Sequence, residues 1–235
     1  MKLTPKSEVR MKKYFIFALV LGLILISTSQ AFSTTRINFG VKSLSLQYHE
    51  SPQYWVYFDK YSSGYISALP SNQILGCYMG VDIAEPLVLF VGLDYTHDYY
   101  KHESEGPTYR YTTEESFTQL TPNLGMKFYL KRRDSREVCP YFLVGFFKTY
   151  ASVDKGATSA WQKANEELTE ELNSPWGFFP AFGAEYFFSN HFSLGGEGGL
   201  RFSFADASAG WDETVVNLEE EFFAHYIGIT VNFRF

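Results

Sequence analysis

Apolar and polar residues alternate along most of this chain, and each such run reads as a β-strand with one apolar face. The last run is the cleanest: Ile227, Ile229, Val231, Phe233 and Phe235 alternate with Gly228, Thr230, Asn232 and Arg234. Over residues 75–84, Leu75, Cys77, Met79, Val81 and Ile83 oppose Gly76, Tyr78, Gly80 and Asp82. Over 87–99, Leu87, Leu89, Val91, Leu93 and Tyr95 oppose Gly92, Asp94 and Thr96. A strand at 117–131 sets Leu120, Leu124, Met126, Phe128 and Leu130 against Gly125, Lys127 and Tyr129. Another at 176–188 sets Phe182, Ala184, Tyr186 and Phe188 against Gly183 and Glu185. At 192–204, Leu194, Leu200, Phe202 and Phe204 oppose Glu197, Gly199 and Arg201.

Two strands are less regular. In 36–48 the apolar parity switches from Ile37, Phe39 and Val41 to Leu44, Leu46 and Tyr48, so a bulge near Lys42 or a wrong boundary is expected. In 139–151 both faces begin apolar; taking Lys148 as inward sets Tyr141, Leu143 and Phe147 outward. The total is eight strands. Short turns at Glu85-Pro86, 131–136 and 189–191 alternate with long loops at 49–72, 100–115, 152–175 and 205–221. Within the third loop Trp161, Ala164, Leu168 and Leu172 recur at helical spacing, which predicts a short surface helix.

Periodicity alone would also suit a soluble sandwich or a lipocalin-like barrel. The ionisable residues discriminate. Asp82, Asp94, Lys127, Glu185, Glu197, Arg201 and Arg234 all fall on the parity opposite the apolar one, together with Gly80, Gly92, Gly125, Gly183, Gly199 and Gly228. A charged face shared with many glycines suits a narrow lumen, and a lipid-facing Arg or Lys at mid-membrane would cost about 2–4 kcal/mol. The expected fold is all-β: an eight-stranded antiparallel up-and-down transmembrane β-barrel.

Tyr226, Gly228, Val231, Phe233 and Phe235, at their spacing, resemble the C-terminal insertion signal of bacterial outer-membrane barrels. The eight-strand pattern over the mature chain, with the Gly183–Phe187 run, resembles the OmpA/OmpX-type barrels. That resemblance implies short periplasmic turns, long extracellular loops and a monomer embedded in outer-membrane lipid. It also implies recognition of the C-terminal strand by the barrel-insertion machinery.

Composition narrows the picture further. At 46% hydrophobic residues and a mean hydropathy of −0.15, the chain is too polar for a bundle of membrane helices. Its long apolar run, 14–26, follows Lys12-Lys13 and leads into small residues, as in a secretory signal peptide. Cleavage is expected after Ala31, with Ser33 second, and Met11 is a better start than Met1; the barrel domain is then 32–235. Cys77 and Cys139 fall on strands that are not neighbours and are read as unpaired. No cysteine follows the signal to carry a lipid anchor. A net charge of −6 argues against a nucleic-acid partner.

An eight-stranded interior is one that side chains just fill. Four acids (Asp82, Asp94, Glu185, Glu197) face Lys127, Arg201 and Arg234, with Lys148 a fourth base if it points inward. Near-balance of buried charge implies structural ion pairs rather than a selectivity ring. His191-Phe192-Ser193 has the spacing of lipid A deacylases, but on a periplasmic turn; His97 and His102 sit at an outer rim without partners for catalysis. No histidine pair has metal-ligand spacing and no phosphate-cradling loop occurs, so neither a cofactor nor enzymatic activity is expected. Pro122 and Pro180 interrupt the two strands flanking the fifth, a candidate lateral seam. Three roles remain: a structural or surface-interaction barrel with an unknown extracellular partner, a carrier of small hydrophobic ligands through that seam, and a lipid-modifying enzyme.

Overall fold

A computed structural model describes residues 36–48, 53–57, 63–67, 73–105, 110–133, 136–154, 160–211 and 214–235. The predicted signal peptide lies outside the described residues. The strands are β1 (Ile37–Tyr48), β2 (Gln53–Tyr57), β3 (Ser63–Ser67), β4 (Gln73–Ala84), β5 (Leu87–Glu105), β6 (Arg110–Tyr129), β7 (Val138–Lys148), β8 (Tyr150–Asp154), β9 (Trp176–Ser189), β10 (Phe192–Trp211) and β11 (Thr214–Arg234), with one helix, α1 (Ala160–Leu172). Antiparallel ladders run β1-β4-β5-β6-β7-β9-β10-β11, and β11 pairs back onto β1. With β8 continuing β7 as one interrupted stave, the ring has eight staves. Through the span of β1 the ring closes on itself, which is what a bilayer demands of a sheet. β2 and β3 form a separate two-stranded sheet within the first predicted loop.

Exposure follows the alternation. Ile227, Ile229, Phe233, Leu75, Met79, Val91 and Leu124 are exposed, while Tyr226, Thr230, Asn232, Tyr78 and Asp94 are buried. The two short turns Glu85-Pro86 and 189–191 lie at the end that holds Arg36 and Phe235, here the turn end. There the Asp82 N–H donates to the Arg36 carbonyl and the Ile37 N–H to that of Phe235.

Several expectations are corrected. β1 has no bulge: its register runs unbroken from Asn38↔Arg234 to Tyr48↔Ala224 on one side and Ile37↔Val81 to Ser45↔Gln73 on the other. Ser43 and Ser45 continue the outward face, and Leu44 and Leu46 are buried inside beside Lys42. Apolar inner residues mimicked a change of parity because this level of the lumen is itself apolar. The same cause inverts β7: Tyr141, Leu143 and Phe147 are buried at 0%, 4% and 6% exposure, and Phe142 and Phe146 face outward. Leu87, expected outward, is buried beside a register shift between Asp82 and Ala84. The second and fourth long loops are largely strand, since β5 and β6 pair out to Glu105↔Arg110 and β10 and β11 to Trp211↔Thr214.

The helix forms at the predicted spacing, with Lys163 and Glu167 exposed and its apolar face packed away rather than left on the surface. Leu168, Thr169 and Leu172 of α1 are fully buried. Leu168 and Leu172, with Ala164, pack on Ala205, Ala207 and Ala209, inner-face residues of β10 whose small side chains admit a helix, with Val216, Leu218 and Phe222 alongside. α1 occupies the place above β9, where β8 and β10 lack a strand between them. Its carboxylates complete their edges: Glu170 accepts from the Val153 N–H at 2.8 Å and Glu171 from the Ser208 N–H at 2.6 Å.

Both prolines break one ladder and spare the other. The β6 ladder passes from Asn123↔Phe147 to Leu120↔Tyr150 with nothing between, and the Thr149 N–H turns to the Pro175 carbonyl. The β9–β10 ladder passes from Ala181↔Gly199 to Phe178↔Phe202. The opposite neighbours stay paired, through Leu93↔Pro122 and Val144↔Pro180. A missing N–H accounts for this one-sidedness. Beside the second gap, side chains hold the wall together: Phe178 stacks on Phe202 and Trp176 on Phe204, both at 4.8 Å between centroids.

The β1 register is testable by substitution. Leu44→Ser is expected to cost about 2–5 kcal/mol, as truncation of a buried leucine does. Ser43→Leu, facing lipid, is expected to be neutral or stabilising. Urea unfolding of the two variants from lipid vesicles measures both; reversed signs would restore the bulge.

Candidate functional site

Chemistry-bearing side chains concentrate in the lumen, in tiers. At the turn end Asp82 is the hub. Its Oδ1 accepts from Asn38 at 2.6 Å and Arg133 at 3.0 Å, and its Oδ2 from Arg133 and Arg234, both at 2.9 Å. Arg133 also donates to the Glu85 carbonyl at 3.0 Å and lies over the Tyr129 ring at 4.7 Å.

The next tier centres on Lys127, whose Nζ is 2.6 Å from Glu185 and 4.3 Å from the centre of the Tyr141 ring. Both charges are buried. Ser193 donates to the other Glu185 oxygen at 3.0 Å, Asn232 donates to Ser193, and Tyr78 donates to Asn232. Tyr141 donates to Glu197 at 2.9 Å. Gly183 is what admits the Tyr141 ring, because a Cβ there would stand 2.5 Å from ring carbon Cζ.

Higher up, Lys42 pairs with Asp94 at 2.9 Å. Arg201 lies over the Phe147 ring at 3.7 Å and donates to Thr149 at 3.2 Å. Leu44, Leu46, Ile74, Phe179, Ala181 and Tyr226 belong to the apolar cluster of the lumen. The turn-end tiers line a partly open cavity of about 20 Å³, room for about one water.

Of the residues the sequence assigned to a lumen network, Asp82, Asp94, Lys127, Glu185, Glu197 and Arg201 are buried on inner faces and Arg234 is half-buried beside Asp82. Lys148 is not among them. It lies on the outward parity of β7 where the ladder lapses, half-buried, and donates to the Ser174 carbonyl. Sequence reasoning missed Lys42 and Arg133. Lys42 was hidden by the supposed bulge, although its even position matches Leu44 and Leu46. Arg133 reaches in from a turn, where no periodicity operates; its length alone permits it.

Of the C-terminal signal residues, Tyr226 and Gly228 face inward, while Phe233 and Phe235 are exposed and Val231 half-exposed. Cys77 and Cys139 form no disulfide: Cys77 is exposed on the outer face, and Cys139 is buried with its thiol 3.2 Å from the Arg132 carbonyl. His97 meets Thr118, His225 meets Gln47 and His191 donates to the Arg234 carbonyl, each at 2.9 Å. Among the described residues no three His, Cys, Asp or Glu gather as a metal site.

A closed ring of eight staves, apolar outside and ion-paired within, defines an integral β-barrel of the outer membrane. A family model described as "Outer membrane protein beta-barrel domain" matches residues 17–235, and the chain belongs to that family. It is a protein of the bacterial outer membrane. Among solved structures it is similar to AlkL in lipid bilayers (10% identity, 88% of this chain and 93% of that one, TM-score 0.52). It is also similar to OprG of Pseudomonas aeruginosa (16%, 85% and 95%, 0.49) and to outer membrane protein W of E. coli (15%, 87% and 100%, 0.45). At such identities the likeness is one of fold. No curated protein matches the chain.

The Lys127–Glu185 pair gives a sharp test. Lys127→Met leaves a buried carboxylate alone and is expected to cost about 3–5 kcal/mol, whereas Lys127→Met with Glu185→Met restores most of the loss. A double-mutant cycle from urea unfolding in vesicles measures the coupling; additive single losses would refute the pairing.

Proposed function

We propose that the protein is a non-enzymatic, non-conducting barrel that serves a structural or surface-interaction role through the segments at its loop end. The observation that carries this reading is the filling of the lumen: ion pairs and aromatic rings fill its turn end, and α1 packs on the inner face of β10 at the other. The cavity among the ion-paired tiers at the turn end has room for about one water. The loop-end hairpins, which supply long stretches of backbone beyond the filled lumen, are where a partner would bind. In planar bilayers the folded protein is expected to give no stable channel conductance, and loaded vesicles no swelling with small sugars. Steady single-channel steps would overturn the reading.

A second role, passage of small hydrophobic molecules through the wall, is favoured by one observation. The gap in the β9–β10 ladder at Pro180 lies beside Phe179 and Ala181, which belong to the apolar cluster of the lumen. A cross-strand disulfide from Pro180→Cys and Leu200→Cys, with Cys77 and Cys139 changed to Ser, would clamp this seam. If the seam carries traffic, the oxidised form takes up an apolar fluorescent probe more slowly than the reduced form in protein-containing vesicles. Equal rates dismiss it.

A further inference from the structure

We infer that the cavity at the turn end binds one small monovalent anion of halide size, held by the guanidinium groups of Arg133 and Arg234 with Lys127 nearby. All three residues line that cavity. The argument begins with Asp82, the carboxylate that both arginines share. An ionised carboxylate offers about four acceptor positions. Asn38, both terminal nitrogens of Arg133 and one nitrogen of Arg234 already use that capacity. Asp82 therefore has none left for the Nε–H groups of Arg133 and Arg234, and among the described residues these two buried donors have no acceptor. Buried N–H groups of a charged side chain are costly to leave unmade.

The charges agree with the donors. Around the cavity Lys127, Arg133 and Arg234 face Asp82 and Glu185, three cations against two carboxylates; the next buried carboxylate, Glu197, accepts from the Tyr141 hydroxyl and does not line the cavity. The other charges at this end do not close the gap. Lys131 pairs with Glu137 and Arg132 with Glu85 on the surface, and Arg36, Arg136 and the carboxylate of Phe235 belong to exposed residues. A water could accept the two orphan N–H groups, but only an anion also neutralises the surplus buried charge. At about 20 Å³ the cavity suits a single-atom ion.

The experiment uses the folded full barrel in detergent or lipid. Crystals grown or soaked in bromide are expected to show an anomalous peak in the cavity between Arg133 and Arg234. The unfolding temperature, followed by the gel shift of heated against unheated samples, is expected to rise by about 2–4 °C, saturably, in chloride or bromide over gluconate at equal ionic strength. Arg133→Gln should abolish the anion dependence. Because that variant could also fail to fold, Val88→Leu serves as the second, since it fills the cavity and leaves all three cations in place. Loss of the anion response in a folded Val88→Leu barrel supports the site. Water density without an anomalous peak, equal unfolding in chloride and gluconate, or an undiminished response in Val88→Leu would each overturn it.

Discussion

Everything in this molecule follows from the requirement that a backbone crossing a bilayer satisfy its own N–H and C=O groups. The β1–β11 ladder answers it by joining the first and last staves over the whole of β1. Closure in turn creates an inside, and eight staves make that inside too narrow to be left to water. The buried ion pairs, the rings seated on glycines and the helix at the loop end are consequences of having to fill it. The two places where the ladder lapses, at Pro122 and Pro180, show how strict the requirement is. The freed Thr149 N–H finds the Pro175 carbonyl, and the stacked rings of Trp176, Phe178, Phe202 and Phe204 adjoin the other lapse.

Filling the interior with charge has its own logic. A buried pair contributes little net stability over an apolar substitute, yet a broken one is heavily penalised. The lumen therefore discriminates against wrong registers more than it stabilises the right one. If one stave slipped by a residue, Lys127 would leave Glu185 and face lipid, and Asp82 would lose two arginines together. The outer face, nearly uniform in hydrophobicity, could not detect such a slip.

How much of this was legible in the sequence depends on how different the two faces of each strand are. β4, β10 and β11, and β5 beyond Leu87, carry charges or glycines opposite apolar residues, and their facing could be read from the alternation. β1 and β7 could not, because Leu44, Leu46, Leu143 and Phe147 are apolar residues on the inner face, and hydrophobicity does not label which side is lipid. Lys148 was misassigned for a related reason. A lysine in a strand was taken to need the lumen, when a gap in the ladder left it the Ser174 carbonyl instead. Arg133 was beyond reach, since a turn has no period and only the folded ring brings residue 133 to Asp82. The helix was legible from its spacing, but its burial was not: that depends on Ala205, Ala207 and Ala209, whose smallness matters only once α1 lies against them.

The first and third excursions at the loop end differ in their attachment. β2 and β3 pair with each other and join no ladder of the ring, whereas α1 is stitched to it through Glu170 and Glu171. Backbone changes in the first excursion thus break no ladder of the cylinder and are felt only where β3 lies against α1, while the third behaves as a piece of masonry. A lineage could remodel the one freely in response to its surroundings and would have to rebuild the rim to remodel the other.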